Sequence, residues 1–326
     1  MKGGLTMKMS VALGTYNGAG FLEEQLRSIA AQQRRPDELV VCDDCSSDET
    51  VAVVRRFAAG CPFEVRLEIN QRNLGASGNF ARAVSLCRGD VIALCDQDDI
   101  WLPHKLGRLE RTFAEDSHVG FVFSDAFLID AAAHRLRRRL WQAIHFGRRL
   151  QQKVNEGGAM KLLVKRNVAT GATMAFRAEH RDLLLPIPGN WVHDGWFALL
   201  MAAVAPCRAI SEPLVEYRQH AGQQIGVQKK SLYRRFMRAK LEGRENLETL
   251  AGDFEAAHQR LSAFRSRLRD DRALWLQEEK VEHLRTRAGI RASAARRLPM
   301  LAGELLSRHY ARYSENWKAV VQDLLL

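Results

Sequence analysis

The sequence predicts an α/β fold, with a mainly parallel β-sheet and helices on both faces, followed by a helical C-terminal region. Three observations lead to this prediction. Short apolar runs alternate with segments of helical periodicity over the first two thirds of the 326 residues, which is the rhythm of βαβ units. Polar clusters directly follow several of those runs. The last third has helical spacing and an excess of basic residues.

The first two strands are short apolar runs with a helix between them. Residues 9–13 (MSVAL) form the first run and residues 38–42 (ELVVC) the second. Apolar residues recur at helical spacing from Leu22 to Ala30, and Pro36 then interrupts the pattern. These segments predict one βαβ unit.

A second helix is predicted just after the second strand, because Ser46 and Glu49 have the spacing of a capping box. The elements that follow are a strand over 63–69, a helix over 79–86 and a buried strand over 90–95.

The composition is that of a folded protein without a membrane span. The apolar share is 46% and the charged share 27%, which excludes a disordered chain. No run approaches the ~18 apolar residues of a membrane helix, and the N-terminus has no apolar signal core. Six scattered cysteines fit a reducing compartment. We therefore expect a cytoplasmic protein.

The net charge of +11 is concentrated towards the C-terminal end. Residues 228–326 carry 21 Lys and Arg against 13 Asp and Glu, a net of +8, whereas residues 1–227 carry 28 against 25, a net of +3. We predict a catalytic domain over 1–226 and a basic α-helical region over 227–326.

The helical pattern of the tail begins near Ser231 and places Leu247, Leu250 and Phe254 on one apolar face that continues to Leu268. A membrane-facing surface, packing within the chain and an interface of a homo-oligomer all explain this pattern.

Three strand ends carry polar clusters. Residues 15–17 (TYN) follow the first strand, Asp43 and Asp44 follow the second, and residues 96–99 (DQDD) follow the run at 90–95. The carboxyl ends of parallel strands share one edge of a sheet, where such sheets bind ligands. The sequence therefore predicts one ligand site built from the three clusters.

Cys42 and Cys45 bracket the acid pair with the spacing of a zinc or redox motif. A structural zinc site needs a second compact pair of Cys or His, and the other four cysteines are isolated. A redox pair needs positive charge to lower the thiol pKa, whereas acids lie between these two. We expect the thiols to pack in the core. Asp43 and Asp44 then either bind a nucleotide or satisfy backbone donors.

Asp96 and Asp98 offer hard oxygen ligands after a strand. Mg²⁺ and Mn²⁺ bind one or two carboxylates together with phosphate oxygens, so the pair fits a nucleotide diphosphate–metal site. A solvated acidic turn is the alternative. The position of the pair between Leu94 and Trp101 favours the metal site.

Seven stretches of the first 226 residues occur in the order in which one enzyme family has them. They are GTYNG (14–18), VCDDCSSDET (41–50), NLGASGNFARAV (73–84), GDVIALCDQDDIW (89–101), TGATMAFR (170–177), WVHDGW (191–196) and YRQHAG (217–222). The series resembles family 2 glycosyltransferases with the GT-A (nucleotide-diphospho-sugar transferase) fold, and particularly bacterial transferases that build rhamnose-containing surface polysaccharides. The ordered series is specific, whereas each motif alone is not.

The resemblance implies a nucleotide site. Tyr16 would stack on the base, Asp44 would hydrogen-bond it, and Asp96 would contact the ribose or diphosphate. The residues implied to bind the nucleotide are Thr15, Tyr16, Asn17, Asp43, Asp44, Asn73, Gly75, Asn79, Asp96 and Gln97.

The resemblance also implies a catalytic base and metal ligands. Asp194 matches the base, and His193 replaces the Glu that many members have before it. Asp98 and His220 match metal ligands, with Mg²⁺ or Mn²⁺ as the implied cofactor. A helix N-cap is the alternative role for Asp194.

The implied reaction is inverting transfer of a sugar from dTDP-rhamnose or a UDP-sugar to a glycan or lipid-linked acceptor in cell-surface polysaccharide synthesis. A base must take the proton of the acceptor hydroxyl, and a metal must neutralise the leaving diphosphate. The Q-x-x-R-W signature of processive members is absent, so we expect the addition of one or few sugars.

Residues 134–153 carry seven Arg and Lys and no acid. They are hypothesised to meet a lipid-linked diphosphate acceptor at the inner face of an anionic membrane. An exposed helix or loop is the alternative.

Two other classes of protein remain as alternatives. A sugar-nucleotide nucleotidyltransferase needs a basic, Gly-rich loop after the first strand, and GTYNGAG has no basic residue. A basic nucleic-acid-binding protein needs a recognisable reading motif, and none is found. We therefore expect no nucleic-acid partner.

Overall fold

The computed structural model describes residues 7–220, 243–292, 294–314 and 317–325, with the backbone alone at 294–296. Contacts divide the chain into two compact units, Met1–Gly157 with Val168–Val227, and Gly158–Asn167 with Gln228–Leu326. The predicted domain boundary at 226/227 and the predicted start of the tail helix near Ser231 lie outside the described residues. The division into 1–226 and 227–326 therefore stays a prediction.

The described part of the first unit contains one nine-stranded sheet. Its strands are β1 (Met9–Thr15), β2 (Glu38–Asp43), β3 (Glu64–Ile69), β4 (Val91–Cys95), β5 (Ile100–Trp101), β6 (Phe121–Ile129), β7 (Arg135–Arg139), β8 (Met174–Arg177) and β9 (Cys207–Arg218). The order is β3-β2-β1-β4-β8-β6-β9-β5, and β7 pairs with β6.

The half of the sheet formed by β3, β2, β1 and β4 is parallel throughout. Every residue of β1, β2 and β4 is buried, which explains why these strands are continuous apolar runs. Beyond β4 the sheet is mixed, because β8 runs antiparallel to both β4 and β6 while β9 runs parallel to β6. The structure confirms the predicted α/β class.

The described residues form fourteen α-helices. They are α1 (Ala19–Ala30), α2 (Thr50–Ala59), α3 (Gly75–Leu86), α4 (Lys105–Glu115), α5 (Leu140–Ala143), α6 (Arg148–Lys153), α7 (Ala159–Lys165), α8 (Arg181–Leu184), α9 (His193–Val204), α10 (Arg244–Ala263), α11 (Arg272–Ala292), α12 (Ala294–Leu306), α13 (His309–Tyr313) and α14 (Trp317–Leu325). Short 3₁₀ turns lie at Gly171–Thr173, Ala178–His180 and Arg265–Arg267, and a π-helical turn at Val154–Gly158. α7 and α10–α14 belong to the second unit.

The predicted capping box at the start of α2 is wrong. The helix begins at Thr50, whose N–H donates to Asp48 Oδ1 at 3.0 Å. The Ser46 hydroxyl instead donates to Asp43 Oδ1 at 2.6 Å. The spacing of Ser46 and Glu49 predicts Ser46 as the cap. The hydroxyl of Ser46 is instead donated to the carboxylate of Asp43, so it does not cap the helix.

The second unit has a core between α10 and α11. Leu247, Ala251, Phe254, Ala257 and Leu261 are the buried residues of α10, a spacing of three and four that defines one helical face. The predicted apolar face is partly wrong. Leu250 is exposed, and α10 ends at Ala263, so the pattern towards Leu268 belongs to a connection.

Candidate active site

The three polar clusters predicted at strand ends meet in one cavity of about 720 Å³ in the first unit. The predicted site residues that line it are Thr15, Tyr16, Asn17, Asp44, Asn73, Gly75, Asn79, Asp96, Gln97, Asp98, Asp194 and His220. Asp43 is not among the lining residues. The cavity lies at the carboxyl ends of β1, β2 and β4, as expected of a parallel sheet.

The loop after β1 is held by Gln97. The Tyr16 N–H donates to Gln97 Oε1 at 2.8 Å, and Gln97 Nε2 donates to the Tyr16 carbonyl at 3.0 Å. A Cβ at Gly18 would lie 2.1 Å from Gln97 Oε1, so this contact requires glycine. The Tyr16 side chain remains 42% exposed at the cavity wall. Its ring is therefore available to stack on a ligand.

Asp43 ties β1 to β2 behind the cavity wall. It is fully buried, and its Oδ1 accepts the Thr15 hydroxyl at 2.9 Å. Its Oδ2 accepts the Ser46 N–H at 2.8 Å. These bonds satisfy both carboxylate oxygens, so the geometry gives Asp43 a positioning role.

Asp44 caps the start of α3. Its Oδ1 accepts the Leu74 N–H at 2.7 Å, and its Oδ2 accepts the Gly75 N–H at 2.9 Å. A carboxylate at a helix N-terminus is stabilised by the unpaired N–H groups and the helix dipole. This cap explains why α3 begins at Gly75 rather than at Asn79, where the sequence predicts it. Asp44 also reaches the cavity.

Asn79 joins the ends of β1 and β2. Its side-chain amide donates to the Cys42 carbonyl at 2.8 Å and the Thr15 carbonyl at 3.3 Å. Asn73 is exposed, and its Oδ1 accepts the Gly75 N–H at 3.0 Å. Gly75 has a φ of 73°, a left-handed conformation that favours glycine. These residues shape the wall that Asp44 supports.

The carboxylates after β4 are crowded. Burial, with Asp98 and Asp194 as further causes, raises the pKa of Asp96 to about 7. Asp99 is fully buried, and burial together with Asp98 and Asp96 raises its pKa well above the usual range. Asp99 Oδ1 accepts the Arg218 N–H at 2.9 Å, whereas no described group hydrogen-bonds its Oδ2. Burial and mutual repulsion thus favour the protonated forms of Asp96 and Asp99 when no cation is bound.

The cations near this cluster are engaged elsewhere. Lys105 is fully buried; its Nζ donates to the Ala172 carbonyl at 2.7 Å and lies 3.5 Å from the ring centroid of Trp101. Burial lowers the pKa of Lys105 to about 7. The Arg218 guanidinium forms an ion pair with Glu24 and donates to the Asp98 carbonyl at 2.7 Å. These cations would therefore balance only part of the charge that the cluster carries when its carboxyls are ionised.

Asp98 and His220 lie together, with His220 Nε2 2.7 Å from Asp98 Oδ2. Mg²⁺ and Mn²⁺ take carboxylate oxygens together with phosphate oxygens, and Mn²⁺ also accepts imidazole. The buried, unpartnered Oδ2 of Asp99 and the raised pKa of Asp96 fit a site that a divalent cation would neutralise. Asp98, Asp96 and His220 are the residues that would hold it.

The start of α9 is fixed from α3. The Ser77 hydroxyl donates to the Trp191 carbonyl at 2.8 Å and accepts the His193 N–H at 3.1 Å. Asp194 lies in the first turn of α9 and lines the cavity.

His193 is a buried imidazole in the cavity wall. It is 6% exposed, stacks on Phe80 at 4.1 Å between ring centroids, and has no described hydrogen-bond partner at either ring nitrogen. Burial lowers its pKa to about 4, so the ring is neutral at pH 7. A Cβ at Gly171 would lie 2.6 Å from His193 Nε2, so glycine makes room for it.

The sequence did not single out part of the lining. Phe21, Leu140 and Ile144 all reach the cavity, and so does Tyr217 of the YRQHAG motif, to which no role is assigned. Leu140 and Ile144 lie in the basic stretch 134–153, for which the sequence analysis considers only the charge. The spacing of four residues between them, with Trp141 in between, is the feature of the sequence that indicates a helix with an apolar face.

The thiols that bracket the acid pair are poor candidates for chemistry. Cys42 is fully buried, and burial raises the pKa of its thiol to about 12, which disfavours the thiolate that metal binding or redox chemistry needs. The Cys45 thiol donates to the Asn70 carbonyl at 3.0 Å.

The fold and its cavity define the class of protein: an α/β protein with a carboxylate-lined cavity at the carboxyl ends of parallel strands. Residues 10–170 match Glycosyl transferase family 2. An uncharacterised glycosyltransferase of Nostoc sp. is 29% identical over 220 residues, which cover 66% of this chain and 65% of that protein. The dTDP-rhamnosyl transferase RfbG of Shigella flexneri is 35% identical over 98 residues, which cover 29% of this chain and 34% of that protein. Each alignment spans less than two thirds of the relative's length.

The mannosyltransferase PcManGT of Pyrobaculum calidifontis, solved in complex with GDP-Man and Mn²⁺, has the same fold. The TM-score is 0.55 at 20% identity, over 99% of this chain and 87% of that chain. This chain belongs to glycosyltransferase family 2 and has the GT-A fold, as the sequence predicts.

Proposed function

We propose that this protein is an inverting glycosyltransferase that moves a sugar from a nucleotide-diphospho-sugar to an acceptor hydroxyl. One observation carries the proposal: a single cavity brings together Tyr16, the Asp96–Asp98 cluster and Asp194. Membership of the family favours this reaction over nucleotidyl transfer and over nucleic-acid binding.

The nucleotide would lie against the wall formed by the ends of β1 and β2. The exposed ring of Tyr16 offers a stacking surface, and Asp44 and Asn79 form the polar floor. Because Asp43, Asn73 and Gln97 hold the wall in place, we assign them to positioning.

The diphosphate would lie at the acid cluster with a divalent cation. Asp98, Asp96 and His220 would hold Mg²⁺ or Mn²⁺, which when bound neutralises the charge of the diphosphate. The Mn²⁺ and GDP-Man in the PcManGT complex support such a cofactor. Arg218 and Asp99 keep the turn that carries Asp98 attached to the end of β9.

Asp194 would act as the catalytic base. It takes the proton of the acceptor hydroxyl as that oxygen bonds to the anomeric carbon, and the bond between this carbon and the diphosphate oxygen breaks with inversion. Its place in the first turn of α9, in the wall of the cavity, supports this assignment.

The donor is proposed to be dTDP-rhamnose or a UDP-sugar. The similarity to RfbG, named as a dTDP-rhamnosyl transferase, supports the first. Thermal-shift screening against dTDP-, UDP- and GDP-sugars with Mn²⁺, followed by transfer or hydrolysis assays with the stabilising donor, tests both. The absence of stabilisation and turnover with every nucleotide sugar would contradict the proposed function.

The acceptor is proposed to be a lipid-linked glycan that carries a diphosphate, as in cell-surface polysaccharide synthesis. All five residues of β7 are exposed, and four are arginines. Arg135 and Arg139 lie over the Phe127 ring, at 3.9 and 5.3 Å from its centroid. The next residue, Leu140, is part of the cavity wall. The strand therefore places positive charge beside the site, where an anionic acceptor would approach.

The second unit offers a surface for an anionic membrane. Its exposed apolar residues towards the end of the chain are Leu298, Leu305, Leu306, Trp317, Val321, Leu324 and Leu325. Among the described residues of 305–325, Arg308, Arg312 and Lys318 are exposed, whereas Asp323 is buried. Exposed apolar and basic side chains together fit a bilayer surface with anionic lipids. No helix among the described residues is long and apolar enough to cross a membrane.

A further inference from the structure

The second unit holds two histidines and a carboxylate that converge from three helices. His283 lies on α11, Glu304 on α12 and His309 on α13. One ligand atom from each lies within 4.8 Å of the other two. This cluster belongs to the second unit, and its residues are not among those that line the cavity of the proposed transfer reaction.

One carboxylate connects the two imidazoles. Glu304 Oε2 contacts His283 Nδ1, and Glu304 Oε1 lies 3.2 Å from His309 Nδ1. The side chain of His283 is fully buried, that of Glu304 is 8% exposed and that of His309 is 14% exposed. Two imidazole nitrogens and a carboxylate, with water as a fourth ligand, form a common zinc coordination set.

The other nitrogen of each ring faces its own oxygen. His283 Nε2 lies 2.7 Å from Ser314 Oγ, and His309 Nε2 lies 3.9 Å from Glu279 Oε1. The Tyr313 hydroxyl donates to Glu279 Oε2 at 2.5 Å and so holds that carboxylate. Metal-binding histidines are oriented by an oxygen at the nitrogen that does not bind the metal. Ser314 is within hydrogen-bond distance of His283 for this role, whereas Glu279 is too far from His309. Both Nδ1 atoms face Glu304.

The cations nearby have partners of their own. Arg287 donates to Asp323 Oδ2 at 2.6 Å, and both side chains are buried. Lys280 Nζ donates to the Tyr313 carbonyl at 2.6 Å. Arg312 Nη1 lies 3.5 Å from Glu279 Oε2. Among the described residues, the ion-pair partners of Glu304 are the two histidines, so its negative charge is the one that a divalent cation would balance.

We propose that His283, Glu304 and His309 bind a divalent transition metal of the zinc type. The ion joins α11, α12 and α13, and its role is to stabilise the helical unit. Water as the fourth ligand completes the coordination of the ion, and Ser314 holds the His283 ring in the binding orientation.

The test uses the full chain, stripped with a chelator and reloaded with Zn²⁺. We expect wild type to retain one zinc per chain after gel filtration and to unfold at a higher temperature with zinc than without it. His309→Gln should lose the retained zinc and the thermal shift. Circular dichroism of His309→Gln shows whether its helices are intact, and Ser314→Ala gives a second, milder variant that should weaken zinc binding about 10- to 100-fold.

Two matched controls separate this site from others. His258→Gln changes a histidine of α10 that lies outside the cluster, and Asp98→Asn removes the proposed cavity ligand; both should retain the zinc. Co²⁺ in place of zinc should give visible absorption of a four-coordinate site in wild type and in both controls. If wild type retains no zinc, if His309→Gln retains it, or if Asp98→Asn loses it, the cluster is a hydrogen-bonded network only and the proposal is wrong.

Discussion

Single residues of the cavity differ in whether their polar atoms are already satisfied. Asp43 has protein partners at both carboxylate oxygens, whereas Asp99 has a buried oxygen without a described partner and His193 has two such nitrogens. Buried polar atoms without partners cost free energy. Asp43 therefore stabilises the wall through bonds that are already formed, whereas Asp99 and His193 are held in place at a cost in stability.

Asp194 is predicted to be required for chemistry rather than for donor binding. Asp194→Asn keeps the shape of the side chain but cannot accept the proton, so we expect kcat to fall about 10²- to 10⁴-fold. The affinity for the donor, measured by calorimetry, should stay nearly unchanged. Asp182→Asn on α8 is the matched control and should keep full activity. Loss of donor binding in Asp194→Asn would contradict its role as the base.

Asp44 is predicted to serve both stability and donor binding. It accepts the first N–H groups of α3, so Asp44→Ala should lower the free energy of unfolding by about 1–2 kcal/mol in urea titrations. It should also weaken donor binding because the cavity wall moves. An unchanged unfolding midpoint would show that the cap is not formed.

Cys42→Ala with Cys45→Ser should leave activity largely intact, since neither thiol is assigned to the chemistry.

His193 should make the stability of the first unit depend on pH. Its pKa is about 4 in the folded protein against 6.5 ordinarily, so between these values the unfolded chain binds an extra proton. The free energy of unfolding should therefore fall as the pH is lowered from 6.5 to 4, by at most about 3 kcal/mol from this residue. Urea titrations of wild type and His193→Phe at pH 7.5 and 4.5 measure it. Equal losses in both proteins would rule out a neutral, buried His193.

At the scale of elements, strands and their ends are what the sequence predicts well. β1, β2 and β4 are buried on both faces, so their apolar runs are unbroken and the polar clusters after them mark the sheet edge. The wall from α5 was missed, because Leu140 and Ile144 reach the cavity only through long-range packing. The hydrogen bond from Ser46 to Asp43 replaces the predicted capping box. The spacing of residues in the sequence does not predict such a bond.

The arginines of β7 are predicted to affect binding of the acceptor and not binding or hydrolysis of the donor. Arg137→Glu with Arg138→Glu reverses two exposed charges, so transfer to a diphosphate-bearing acceptor should slow, with a higher KM for that acceptor. Hydrolysis of the donor in the absence of acceptor should not change. Arg55→Glu with Arg56→Glu on α2 changes two exposed arginines that do not line the cavity. If both pairs slow transfer equally, the effect is one of net charge.

At the scale of the whole chain, the two units carry different chemistry. The first gathers carboxylates and a nucleotide-sized cavity at a sheet edge. The second combines a buried His–Glu cluster with exposed apolar and basic side chains. Among the described residues of 297–325, exposed basic side chains accompany exposed Leu and Trp.

The exposed residues of α14 predict binding to anionic vesicles. Trp317, Val321 and Leu324 recur at a spacing of four and three, so they share one face of the helix, and Lys318 adds positive charge. Apolar insertion and charge attraction contribute together on a phosphatidylglycerol surface, but only the first acts on phosphatidylcholine. The full chain should therefore co-sediment with phosphatidylglycerol vesicles and less with phosphatidylcholine ones, and Trp317→Ser with Leu324→Ser should abolish binding while the donor still binds. Light scattering of wild type and variant measures the oligomeric state. If wild type is a dimer, the variant is a monomer and neither binds vesicles, this face contacts a second copy of the chain and the predicted membrane binding is wrong.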